Sequence, residues 1–182
     1  MSVNFDKFNS VVEIFEKQSS LLNNIPYLWR KVEDKYVSLS WQEVRNKVEN
    51  LAVALKNVGI LEGDRVVIVS ENRPEWQIAD LAIMTIGAIT VPAYTTSTTT
   101  DYEYIVQHSG ARCLIVSNHD LAQKVLPAVL NSPKCQTVIK IDSDNKSYDE
   151  PVKVVSWNSL MIENSNHTFQ LDILILIIYY VH

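Results

Sequence analysis

The sequence predicts an α/β fold, a mainly parallel sheet with helices on both faces, and three observations predict it. RVVIVS at 65–70 is a nearly continuous apolar, β-branched run, as expected of a strand covered on both faces. Further strand-like runs at 88–94, 112–117 and 137–141 alternate with segments of helical periodicity, the order a layered α/β domain needs. With 47% apolar and 20% charged residues, the chain also has the composition of a globular protein with a packed interior.

The elements follow in order. Val3, Phe5, Phe8, Val11, Val12, Phe15 and Leu22 approximate one helical face, so residues 3–22 predict a helix whose aromatic stripe packs inward. YLWRKVEDKYVSL, from Tyr27 to Leu39, reads as a β-hairpin turning at Glu33 and Asp34. Ser40 and Glu43 fit a capping box, in which a hydroxyl and a carboxylate satisfy the free backbone donors of a helix start. A helix over 41–58 follows, with Val44, Val48, Leu51, Ala52 and Leu55 inward and Gly59 at its end.

Beyond the 65–70 strand, Pro74 suits a first helical turn, and Trp76, Ala79, Ile83 and Ile86 are inward candidates. AITVPAY at 88–94 is the next strand. Thr100 and Glu103 suggest a second capping box before a short helix that Gly110 ends, ahead of RCLIVS at 112–117. A helix over 118–130 and the strand TVIKI at 137–141 complete the alternation. Residues 142–151 predict an exposed loop, VKVVSW at 152–157 a weaker strand, and DILILIIYYVH an apolar β-prone ending. The organisation is thus an N-terminal helix and hairpin (1–39), a repeating α/β core (40–141) and a loop with a short strand and terminal strand (142–182).

The formal charge of −5 is spread along the chain without a Lys/Arg stripe, which argues against nucleic-acid binding. Cys113 and Cys135 lack metal-site or disulfide spacing and read as reduced packing residues. No secretory signal and no apolar run of about 20 residues stands out, so a cytoplasmic protein without a membrane-spanning helix is expected. Peripheral membrane contact stays open.

Residues 39–118 carry more than general pattern. The helix ending in Gly59, GDRVVI from Gly63, NRPEW from Asn72, GAITVPAY from Gly87 and YIVQHSGA from Tyr104 together resemble the start of the adenylating domain of AMP-forming acyl-CoA synthetases, most of all the long-chain fatty acid type. The resemblance covers about residues 10–141. It implies a reaction in which ATP and magnesium activate a fatty acid as an acyl adenylate, after which coenzyme A takes the acyl group.

In that family a strand ending in an IIY-like sequence leads into a Gly/Ser/Thr-rich phosphate loop. Here Ile177, Ile178 and Tyr179 are followed by Tyr180, Val181 and His182. The resemblance therefore implies an N-terminal part of the domain, inactive alone, to which no catalytic or metal-binding residue is assigned and for which no cofactor is expected. The one binding position it implies is Thr96, matching an arginine that some relatives place near coenzyme A. A neutral hydroxyl cannot pair with phosphate as Arg does.

Simpler roles weigh against the other candidates. Asp64 and Arg65 read as solvated turn residues, and His108 as a helix-end cation. Trp76, Tyr94, Tyr102 and Tyr104 read as packing residues. TTSTTT at 95–100 lacks the glycine and lysine of a phosphate cradle. The alternative readings are an interaction partner of a full-length synthetase, offering an unpaired sheet edge, and a gene product without function.

Overall fold

The computed structural model describes residues 8–143 and 152–163. Helix α1 (Val11–Leu22) opens on Ser10, whose hydroxyl accepts from the Glu13 N–H. Its start at Val11 shortens the expected stripe: Phe15 is buried, Val11 is exposed, and Phe5 lies outside the described residues. The hairpin β1 (Pro26–Val32) and β2 (Lys35–Ser40) turns at Glu33–Asp34 as expected, with Glu33 in the left-handed region at φ 53°. Tyr27 stacks on Trp41 at 3.7 Å between ring centres and Phe15 leans on both rings, which fastens the hairpin to the helices.

Helix α2 (Trp41–Asn57) begins with the predicted Ser40/Glu43 capping box and buries Val44, Val48, Leu51, Ala52, Ala54 and Leu55. Strand β3 (Arg65–Val69), helix α3 (Pro74–Thr85) and strand β4 (Ile89–Ala93) form a βαβ unit with parallel strands. Helix α3 buries Ile78, Leu81 and Ala82 in addition to the expected Ala79 and Ile83, because it is covered on more than one side; Trp76 is only partly buried. Helix α4 (Thr99–Ser109), strand β5 (Cys113–Val116), helix α5 (His119–Leu130), strands β6 (Thr137–Lys140) and β7 (Lys153–Ser156) and helix α6 (Trp157–Glu163) complete the order.

Three expectations are corrected. The second capping box belongs to Thr98 and Asp101, two residues earlier than Thr100 and Glu103. Thr98 with Asp101 and Thr100 with Glu103 both set an acid three residues after a hydroxyl, so the local sequence offers two registers. Glu103 instead accepts from Gln107 and Asn131. Asp64 and Arg65 are not merely solvated: Asp64 pairs with Arg112 at 3.4 Å, and Arg65 donates to the carbonyls of Gly63, Ser109 and Gly110. Of Tyr94, Tyr102 and Tyr104, only Tyr102 is core, fully buried, whereas Tyr94 and Tyr104 are 83% and 65% exposed.

Gly110 ends α4 with φ 61°, and a Cβ there would lie 2.8 Å from the Arg65 guanidinium. The clasp on the last turn of α4 thus needs a residue with no side chain as well as a left-handed backbone.

The five-stranded sheet is parallel with order β4-β3-β5-β6-β7. Side chains alternate across it. Val66, Ile68, Cys113, Ile115 and Ile139 meet α1, α2, α3 and α6, while Val67, Val69, Leu114, Val116 and Val138 meet α4 and α5. Among the described residues strand β4 is an edge. The Ile89 N–H bonds to Asp64 on the β3 side, so Pro92, of opposite parity, places its missing N–H on the open side. Cys113 and Cys135 are free and buried, and burial holds both thiols protonated, Cys135 up at about 12. Among the described residues no helix is long and apolar enough to cross a membrane. The expected terminal strand and most of the 142–151 loop lie outside the described residues.

Candidate functional site

In an open α/β sheet, ligands collect at the carboxyl ends of the strands where neighbouring connections leave on opposite faces. Here that point falls between β3 and β5: the chain leaves β3 for α3 on one face and leaves β5 for α5 on the other. The residues at this crevice are Ser70 and Glu71 after β3, and Ser117 and Asn118 after β5. Ser117, fully buried, donates its hydroxyl to one Glu71 carboxylate oxygen at 2.5 Å, and Asn118 donates to the other at 3.1 Å. Asn118 also caps α5 through the Leu121 N–H.

Burial works against the Glu71 charge, but the Ser117 hydroxyl, its own backbone N–H, Arg73 and Asn118 together outweigh it and hold the carboxyl below its ordinary range. A group with a depressed folded-state pKa stabilises the fold fully above its unfolded value and loses that contribution as pH falls through the folded value. Glu71→Gln should therefore blunt the loss of melting temperature on acidification from neutral pH to below about pH 4, the ordinary glutamate value. Parallel thermal melts check this, and identical pH profiles would contradict it.

A second polar cluster continues along the same edge. Arg73 donates to Glu75 at 2.8 Å and to Asp142, beyond the end of β6, at 2.9 Å; Arg30 of the hairpin reaches Glu75 at 3.4 Å. The hairpin, α3 and the end of β6 are so joined by one ionic chain. Burial again opposes the Glu75 charge, and Arg73, the backbone and Arg30 overcome it.

Thr96, the position matched to a coenzyme A contact, lies exposed in the turn between β4 and α4, at this carboxyl edge. His108 sits in the last turn of α4, stacked on Tyr104 at 5.2 Å. Sequence reasoning passed over Glu71, Arg73, Glu75, Ser117 and Asp142. The signal was available: each apolar strand run ends on polar residues, SEN after β3, SN after β5 and D after β6.

The crevice does not fit a nucleotide triphosphate. Its donors are committed to Glu71, whose charge repels an anion, and neither loop carries the glycine that lets backbone N–H groups surround a phosphate. Among the described residues no group of three or more His, Cys, Asp or Glu could hold a metal ion.

The fold and its rim define a doubly wound α/β unit whose ligand edge is latched by its own side chains. The sequence profile of the AMP-binding enzyme family matches residues 15–179, and the chain belongs to that family. It is 31% identical over 133 residues to a long-chain-fatty-acid–CoA ligase of Mycobacterium tuberculosis, covering 73% of this chain and 22% of the relative. To long-chain-fatty-acid–CoA ligase 6 of Mus musculus it is 32% identical over 128 residues, covering 69% and 18%. The chain thus spans about a fifth of the length of these relatives.

Solved structures agree in fold. An anthranilate CoA ligase in complex with anthranoyl-AMP superposes with a TM-score of 0.73 at 24% identity, over 84% of this chain and 28% of that one. The coronafacic acid ligase of Pectobacterium brasiliense gives 0.75 at 18%, over 86% and 30%.

Proposed function

We propose that this chain is the N-terminal α/β part of an adenylating domain of the long-chain fatty acid CoA ligase type, supplying scaffold rather than catalytic groups. The observation that supports this reading is the latched crevice: the sheet's own ligand edge holds Glu71 where a phosphate would need free donors. Activation of a carboxylate by ATP develops charge on the transferring phosphorus, which needs pre-placed donors and a cation. The Gly/Ser/Thr-rich loop and lysine that serve this purpose in the family have no counterpart in this sequence.

The purified 182-residue chain should give no pyrophosphate exchange above background with ATP, magnesium and palmitate. Fatty-acid-dependent exchange, abolished by point changes in this chain, would overturn the reading. Thr96 is proposed as a weak contact for the nucleotide end of coenzyme A. In that case Thr96→Arg should tighten coenzyme A binding in a calorimetric titration, since a guanidinium can engage phosphate through two hydrogen bonds.

A second reading rests on the sheet edges. Strands β4 and β7 each pair on one side only among the described residues, and unpaired edges recruit other strands. An interaction role with a longer synthetase is tested by co-purification of the tagged chain with such an enzyme; a monodisperse monomer that leaves the enzyme behind would count against it.

A further inference from the structure

Beside the ionic chain lies a cavity of about 360 Å³, bounded by the hairpin, α2, α3, the end of β6 and the start of α6. That volume falls at the lower end of the range, roughly 300–1,000 Å³, typical of small-molecule sites. Its apolar lining comes from Leu39, Ile78, Ile141 and Trp157; the last three are 1%, 5% and 6% exposed and belong to the core that fixes their positions. The lining is therefore a preformed surface rather than a set of mobile side chains.

The polar lining is unbalanced. Arg30, Lys47 and Arg73 bring three cations, and Glu75 and Asp142 bring two carboxylates. Arg73 engages both carboxylates at 2.8 and 2.9 Å, and Arg30 takes the remaining oxygen of Glu75 at 3.4 Å. Lys47 is left over. No described residue accepts a hydrogen bond from it; Glu43, one turn earlier on α2, attracts it electrostatically but directs its Oε2 to the Ser40 cap. A partly buried lysine beside an apolar wall, with no hydrogen bond to a described residue, leaves donor capacity that a ligand acceptor can complete.

We propose that this cavity binds a compact organic anion, its apolar body against Ile78, Ile141 and Trp157 and its carboxylate or phosphate on Lys47 and Arg30. The two halves of the recognition are separable. The charge draws any anion, and the apolar wall selects one with a hydrophobic body, which removes apolar surface from water on binding.

Isothermal titration of the intact chain with sodium benzoate tests this, with inorganic phosphate as the second arm. Expected is saturable one-to-one benzoate binding with a Kd of about 1 mM or tighter. Lys47→Met, which keeps the side-chain length on a partly exposed helix position, should weaken it tenfold or more. Arg30→Gln, on the separate hairpin, should weaken it as well. Lys124→Met, exposed on the opposite face of the sheet, should leave it unchanged. Circular dichroism confirms that each variant is folded. Absence of saturable benzoate binding, or benzoate binding indifferent to both Lys47→Met and Arg30→Gln, overturns the site. Phosphate binding as tightly as benzoate overturns the assigned role of the apolar wall and with it the organic-anion specificity.

Discussion

Tyr102→Ala is expected to cost about 3–5 kcal/mol of stability, the range for removing a buried aromatic ring. The ring is fully buried among Val67, Val69, Val106 and Val116, between the sheet and the helices of one face. Its hydroxyl donates to the Tyr94 carbonyl at 2.7 Å, so the same side chain fills the core and holds the chain where it leaves β4 toward Thr96. Tyr102→Phe separates the two roles, losing only the hydrogen bond, about 0.5–1.5 kcal/mol. Tyr94→Ala and Tyr104→Ala, at exposed positions, should stay within about 0.5 kcal/mol. Urea unfolding of the four variants gives the comparison, and a Phe variant as unstable as the Ala variant would contradict the packing role. A total stability of about 5–15 kcal/mol makes the expected loss large enough to threaten folding.

The second large effect is expected at the centre of the other face. Leu51 is fully buried on α2, the helix that packs against α1, α3, α6 and both strands of the hairpin. Leu51→Ala should leave a cavity bounded by elements that are themselves held by the sheet, so collapse is limited and the cost is about 2–5 kcal/mol. Leu61→Ser, 66% exposed in the turn before β3, removes an equally large apolar side chain at about 0.5 kcal/mol or less. Equal melting temperatures for the two variants would show that α2 is not the packing centre of this face. Because α2 also carries Lys47, loss of anion binding in Leu51→Ala would follow from unfolding, whereas in Lys47→Met the fold stays intact.

Local structure was legible where the determining chemistry is short-range. Ser40 with Glu43 lies within one helical turn, Gly110 stands at the residue that needs a left-handed backbone, and the alternation in β3 reads directly as two buried faces. The second cap was misplaced because Thr98–Asp101 and Thr100–Glu103 offer the same hydroxyl-and-acid pair, and local chemistry does not choose between them. Tyr94 and Tyr104 were grouped with Tyr102 because spacing alone does not tell which side of an edge strand or short helix faces the sheet.

The order and kind of elements and the Ser40–Glu43 cap could be read directly, since each depends on residues a few positions apart. Which strands become neighbours depends instead on long-range packing. Placing β3 beside β5 brings Glu71 to Ser117, 46 positions away, and the run to β6 brings Arg73 to Asp142, 69 positions away. Strand adjacency follows from the handedness of crossovers and from which face each helix can bury, and these are properties of the assembled sheet that no local window of sequence contains.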